Sequence, residues 1–530
     1  PKTAVRLVRV TTDSVEWIDV SGLSPPAPYG LAHTAVPRIA LDRGGRPWIA
    51  YRALHSTAKG RGKQRQPYWW DVVVQGLRGG WSEPEVVPRS DGNLEEPSIA
   101  PSADGLVLAW SMEHRRGAKL AGWGSGEASP GDEEDDDEDH HADYDGALGE
   151  GGEVLAMDLP GDSATFDATA APRVQAPVER PVPARIAREQ ASYQVVSGET
   201  TWRLAWGDFH KHSNVSRCST GFEPGPDDHY RYAADVCRYD FMAMSDHSEH
   251  TSPYHWGRLQ ALADLYHVPG AFVSFYGYEW TARWPTGHHN VIFRGKPDPI
   301  LRSNVDGART TPELWRSLEG VAALTIPHTT ADPGMGTDFG RHDPRFERVV
   351  EIFQAARGSY EHEGCPRQHA KATARGGFYW DALGKGLHVG AICSSDHGWG
   401  TAYVAAYAEE ITRESIFDAV HARRCYGSTV YGLVVDFRAD GHWMGEEYVA
   451  ALRPTLEVHV RSPVAIRSIE ILGHGEVLYR EGTVDAPLGQ EVQRTWCEPE
   501  DRPGETWYYV RVIRQDDEMA WTSPVWVTRK

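Results

Sequence analysis

Cysteine is scarce in this chain. Six residues out of 530 (Cys218, Cys237, Cys365, Cys393, Cys425 and Cys497) lie widely scattered. That excludes a disulfide scaffold and favours a reducing compartment. Long apolar runs are missing too. No stretch approaches the roughly eighteen residues of a membrane-spanning helix. The opening "PKTAVRLVRVTTDSVEW" lacks the long apolar core of a signal peptide, so the expected location is cytoplasmic. Positive charge is in deficit: 54 Lys and Arg stand against 75 Asp and Glu, a net charge of −21. Such a surface repels nucleic acid and anionic lipid. It leaves room for a small anionic substrate, because bound cations can invert a local field. A nucleophilic serine motif of the G-x-S-x-G type is also absent.

What is present is a globular composition, 40% hydrophobic and 24% charged, on a chain long enough for two to four domains. Residues 1–170 read as an all-β, propeller-like region. "PRIALDRGGRPWIAY" from Pro37 and "PSIAPSADGLVLAW" from Pro97 repeat one pattern: Pro, Ile-Ala, a Gly turn, an aromatic close. Each reads as a β-hairpin, and "YWWDVVVQGLRGGWSEPEVV" adds strand between them. Two units cannot close a ring, so a partial propeller-like sheet is expected. The aromatics Trp48, Tyr51, Tyr68, Trp69, Trp70 and Trp81 read as sheet packing, with a glycan- or partner-binding surface as the alternative. Within 131–150, "DEEDDDED" from Asp132 to Asp139 reads as a solvated, disordered loop that includes His140 and His141. The Pro-rich segment 171–200 reads as a linker.

From 201 to 430, continuous apolar runs alternate with helices, which implies a parallel sheet, plausibly a barrel. "TTPELWRSLEG" has Thr311 as its expected N-cap, and "TRESIFDAVHARR" sets Ile416, Phe417 and Val420 at helical spacing. Residues 431–530 alternate apolar and polar around two hairpins and read as a β-sandwich.

The ends of the α/β runs share a chemical type. "WGDFHKHS" supplies Asp208, His210 and His212, and "MSDHSEH" supplies Asp246, His247 and His250. "YEWT" brings Glu279, "GHHN" brings His288 and His289, "IPHT" brings His328, and "SSDHG" brings Asp396 and His397. Parallel barrels gather such strand ends on one face. The two histidines of an extended H-x-H point to the same side and can grip one ion. Imidazole with carboxylate suits Zn, Mn or Fe, and a bridging Glu can hold two ions close together.

Taken in order, these motifs resemble the PHP (polymerase and histidinol phosphatase) superfamily over residues 201–429. The tail segments "RRCYGST", "VDFRADGHWMGEE" and "AWTSPVWV" resemble its larger branch with a C-terminal β domain, which includes carbamate-ester hydrolases. The resemblance implies a distorted (β/α)7 TIM-like barrel, two or three divalent metal ions (Zn, Mn or Fe), and hydrolysis, most often of phosphoesters. It implies His210, His212, His247, Glu279, His288, His328 and Asp396 as ligands, with Glu279 bridging. His289 stays open as an alternative to His288. Asp208 and Asp246 are expected to orient ligand histidines.

There are two departures from the family. The family closes with D-x-H, whereas Asp396 and His397 are adjacent, and neighbouring side chains on a strand diverge. A further family histidine is replaced by Cys218, which leaves a third ion open. The expected chemistry is a metal-bridging hydroxide attacking a small-molecule phosphoester, with a carboxyl- or carbamate-ester hydrolase as the alternative on the same site. A non-catalytic glycan- or partner-binding protein with a structural metal is a third reading. Besides Glu279, the expected catalytic residues are His250 as proton donor and Arg357 as anion binder, with Arg217 and Arg283 as further arginines near the motifs.

Overall fold

The structure is a computed structural model. It describes residues 7–10, 15–20, 22–23, 34–56, 68–90, 97–112, 153–160, 193–216, 223–297, 299–500 and 502–530. The acidic block, His140, His141, Arg217, Cys218 and residues 171–192 of the expected linker lie outside these. The chain is mostly β and multidomain, and it divides into two compact units: Pro1–Arg185 with Arg217–Gly225, and Ile186–Ser216 with Pro226–Lys530. No helix among the described residues is long and apolar enough to cross a membrane. The five described cysteines are free thiols, and only Cys497 is exposed.

In the first unit, both sequence repeats form antiparallel hairpins. Thr34–Leu41 pairs with Pro47–Ser56, and Ser98–Pro101 with Gly105–Met112. The first turns where Asp42 accepts hydrogen bonds from the amides of Gly44 and Arg46, at 3.0 and 2.9 Å. Such side-chain acceptance stabilises a tight turn. The first hairpin extends to a four-stranded sheet through Tyr68–Gly76 and Glu85–Val86, and the second to three strands through Glu153–Pro160. One apolar cluster joins both sheets, from Trp48, Val72 and Val74 to Leu106, Leu108 and Trp110. No ring of blades forms among the described residues. Trp48 and Tyr51 are buried, and the Tyr51 hydroxyl donates to Gln75 at 2.7 Å. Trp81 is half-buried, with its indole N–H on the Asp19 carbonyl. These three rings pack the unit and do not line an open face; the side chains of Tyr68, Trp69 and Trp70 lie outside the described set.

In the second unit, Gln194–Ser197 is a strand inside the expected linker. A tight turn at Gly198 (φ +62°) returns it antiparallel onto Thr200–Asp208. Thr200–Asp208, Phe241–Ala243 and Val273–Trp280 then pair in parallel, as a barrel requires. The next two strands, His289–Phe293 and Ala323–Pro327, are antiparallel, as is Tyr403–Ala408 on the other side. The expectation of a uniformly parallel ring is therefore not met. The connection 281–288 is too short for a crossover, so its strands return as a hairpin. Val349–Gln354 and Gly390–Ser394 form a separate parallel pair.

Both sheets nevertheless face one apolar core. Phe209, Phe241, Phe275, Ile292, Ile326, Val349, Ile392 and Val404 belong to a single buried cluster. Alternation puts Tyr276, Tyr278 and Trp280 in a different cluster, so Phe275, Gly277 and Glu279 share the inner face.

The two helices read from sequence are present. Thr311–Ser317 is capped at Thr310, one residue before the expected cap, and the Thr310 amide donates to Glu313. Arg413–His421 buries Ile416, Phe417 and Val420.

The C-terminal strands do not all form a sandwich of their own. His442–Trp443, Val434–Ala439, Thr455–Arg461 and Glu491–Cys497 make a four-stranded sheet. Met519–Thr522 instead pairs with Cys425–Ser428, carrying Gly504–Arg514 and Ile466–Gly473 into the large sheet. The sequence pattern shows strands but not their partners, so this continuity is invisible to it.

Candidate metal centre

The inner strand ends converge on one carboxylate. Glu279 lies on Val273–Trp280 and is 1% exposed. Its Oε2 is 2.9 Å from His212 Nε2, 3.3 Å from His247 Nδ1 and 3.6 Å from His210 Nε2. Its Oε1 is 2.6 Å from His288 Nδ1 and 3.0 Å from His328 Nε2. Five imidazoles thus surround a single buried carboxylate. Asp396 closes the other side, with Oδ1 3.2 Å from His212 Nε2 and 3.5 Å from His210 Nε2.

The backbone stitches these loops together. The Asp396 amide donates to the His210 carbonyl, Glu279 to Asp246, Ser245 to Lys211, and His328 to His288. The Lys211 ammonium, between the two H-x-H histidines, donates to the Gly400 carbonyl at 3.3 Å.

His397 joins the cluster despite its adjacency to Asp396. Asp396 adopts φ +65°, a left-handed turn just past Gly390–Ser394. The turn breaks strand alternation, so His397 Nε2 sits 3.2 Å from Asp396 Oδ1 and its ring stacks on His212 at 4.5 Å. His289 points elsewhere, with Nε2 2.9 Å from Glu347, which also takes His342. Of the GHHN pair, His288 is the residue in the cluster.

Three residues that sequence reasoning missed hold the imidazoles. Glu351 accepts from His210 Nδ1 (3.1 Å), the Ser216 hydroxyl lies 2.8 Å from His212 Nδ1, and the Thr281 hydroxyl 2.7 Å from His247 Nδ1. For His210 and His212 this leaves Nε2 turned to Glu279 and Asp396. Such oxygen partners fix a ligand histidine's tautomer and raise its basicity. The only sequence signal for Glu351 is a lone charge inside the apolar run "RVVEIF".

Asp208 and Asp246 act differently from expectation. Asp208 accepts from the His210 backbone amide at 3.0 Å rather than from its ring. Asp246 takes the amides and hydroxyls of Ser213 and Ser216, and so positions His212 through Ser216. His250 is buried, its ring 5.1 Å from that of His247. Arg357 Nε lies 3.4 Å from Asp396 Oδ2, whereas Arg283 is exposed.

Charge is divided sharply here. Burial would raise the Glu279 pKa, but His247, His328, His210 and His212 hold it well below the usual carboxylate range. Asp396 is likewise raised by burial yet held low by His397, His210 and His212. Burial would lower His210, but Glu351, Asp396 and Glu279 outweigh it and push it up to about 10. His328 is pushed down to about 4 by burial and then by His210.

Confining this many ionisable groups away from water is costly without compensating charge. A divalent cation would supply it. Three sets of ligand atoms each lie within 4.8 Å of one another: His210, Glu279, His328; His210, His212, Asp396; and His212, His247, Glu279. Glu279, His210 and His212 each occur twice, so the three sets overlap in one cluster. The Nδ1 of His328 is buried with no hydrogen-bond partner among the described residues. The donor set of imidazoles and carboxylates therefore fits Zn, Mn or Fe.

A family profile described as "Protein of unknown function (DUF3604)" matches residues 235–363, which contain His247, Glu279, His288, His328 and Glu351. An uncharacterized protein of Chlamydia pneumoniae is 25% identical over 365 residues, covering 61% of this chain and 57% of that protein. One from Chlamydia trachomatis is 25% identical over 390 residues, covering 64% and 61%. The chain thus spans about three fifths of the length of the curated relatives it matches. Among solved structures, a two-domain protein from Bacteroides vulgatus containing a predicted PHP-like metal-dependent phosphoesterase is 12% identical. That match covers 61% of this chain and 95% of that one, with a TM-score of 0.31, too slight an overlap to assign a fold.

Proposed function

We propose that this protein is a metal-dependent hydrolase, and specifically a phosphoesterase acting on a small anionic substrate. The observation that carries the reading is the convergence of five buried imidazoles on Glu279, closed by Asp396. Divalent ions held by Glu279, Asp396 and the imidazoles would supply a water of lowered pKa and neutralise charge on the reacting ester.

The chain's own residues would do the rest. His210, His212, His247, His288, His328, Asp396 and His397 would hold the ions, with Glu351, Ser216 and Thr281 fixing three of the rings. Arg357, beside Asp396, would bind the substrate anion. His250 would hand a proton to the leaving oxygen. The ordered motifs resembling the PHP superfamily support the same reading, and the deficit of positive charge favours a small substrate over nucleic acid.

The test is a screen of protein loaded with Zn, Mn or Fe against p-nitrophenyl phosphate, its diester, and aryl carboxyl and carbamate esters. Hydrolysis of a phosphoester, abolished in His210→Ala/His212→Ala, is the expected result. Turnover of only the carboxyl or carbamate esters would move the assignment to that class. No turnover by protein that does bind metal would overturn the hydrolase reading.

A further inference from the structure

Tyr360 is completely buried, and its hydroxyl has no hydrogen-bond partner among the described residues. A phenol is seldom left so inside a protein, because the unmade bond is costly. Its ring is well held, packed with Ala331, Ala372 and Phe378. Its amide donates to the Ile352 carbonyl at 2.8 Å. Tyr360 therefore rides on the hairpin of Val349–Gln354 and Gly358–Ser359. That hairpin also carries Glu351, the partner of His210, and Arg357, the partner of Asp396.

The charged groups whose fields act on the Tyr360 hydroxyl are Arg357, Asp332, Asp396 and Glu351. Two of these four, Glu351 and Asp396, contact His210, so Tyr360 lies beside the groups that hold the cluster. Thr330, two residues past His328, is also fully buried with an unpartnered hydroxyl, and its neighbour Ala331 touches the Tyr360 ring. Unsatisfied hydroxyls thus come from the segments that follow Ala323–Pro327 and Gly358–Ser359.

We propose that Tyr360 is a catalytic residue of this site, its hydroxyl donating to a non-bridging oxygen of a phosphomonoester whose charge Arg357 also binds. The inference rests on the phosphoesterase reading above and narrows it to a dianionic, tetrahedral substrate group. Tyr360 makes no covalent bond and gives up no proton. Burial raises its pKa well above that of an ordinary tyrosine, which keeps the phenol a neutral donor. A fixed donor aimed at developing charge costs no reorganisation during reaction.

The experiment is Tyr360→Phe in the full chain, loaded with metal. It is read by kcat and KM on p-nitrophenyl phosphate, by calorimetric titration with inorganic phosphate, by metal content and by Tm. The substitution removes one oxygen and keeps the packed ring. The expected result is kcat/KM down about 100-fold and phosphate bound at least about tenfold more weakly, with metal content unchanged and Tm equal or higher. A merely structural tyrosine would leave the kinetics and phosphate affinity within twofold of wild type, which would overturn the assignment while leaving the hydrolase reading intact. A wild type that neither binds phosphate nor cleaves the phosphoester would overturn both.

Discussion

Glu351 decides which nitrogen of His210 faces Glu279 and Asp396. Its carboxylate holds Nδ1 at 3.1 Å and so presents Nε2. Glu351→Gln keeps the shape and an acceptor but loses the charge. Metal affinity, measured by competition with a chromophoric chelator, is expected to fall by about 10- to 100-fold with the fold intact. The clustered histidines were legible in the sequence because each sits beside an apolar run, in an order chance does not produce. Glu351, Ser216 and Thr281 were not, because their role exists only through contacts far along the chain. Residue spacing also misled at Asp396–His397. Adjacency on a strand means divergence, but the positive φ of Asp396 turns the backbone and brings both side chains in.

At the scale of elements, the site depends on how closely the inner strands approach. Gly207 lies opposite Phe241 in the parallel pair that leads to Asp208 and His210. A Cβ there would collide with the Phe241 carbonyl oxygen and ring. Gly207→Ala is therefore expected to cost about 1–3 kcal/mol, seen as a lower Tm, and to reduce metal content by shifting the H-x-H segment. Equal stability would show that the strands have room to part. The strands themselves were readable from apolar runs and Gly or Pro punctuation. Their directions were not: strand-helix alternation suggested parallel pairing throughout. The short 281–288 connection and the antiparallel Tyr403–Ala408 make part of the sheet antiparallel.

At the scale of the second unit, the segments that carry the histidine cluster and the C-terminal segments are one structure. Cys425–Ser428 pairs with Met519–Thr522. Buried Glu361 accepts from Arg511 Nη1 at 2.7 Å, from the Trp521 indole at 3.0 Å and from the Tyr509 hydroxyl. Breaking such a buried pair costs about 3–5 kcal/mol, and cutting the chain at residue 430 would leave Glu361 without any of these three partners. A chain ending there is expected to lose cooperative thermal unfolding by calorimetry. A sharp transition in the truncated chain would show that the last hundred residues are separable after all. Sequence pattern placed a boundary there because the helices stop, and it had no way to see that the sheet continues.

The central proposal is that Glu279 would be shared by more than one bound cation. It is tested most directly by metal content in protein purified without chelator, wild type beside Glu279→Gln, with circular dichroism confirming that both are folded. The account predicts about two or more divalent ions per chain in the wild type and the loss of at least one in the variant. Equal metal in both proteins, or a wild type that stays empty after exposure to Zn, Mn and Fe, would contradict it.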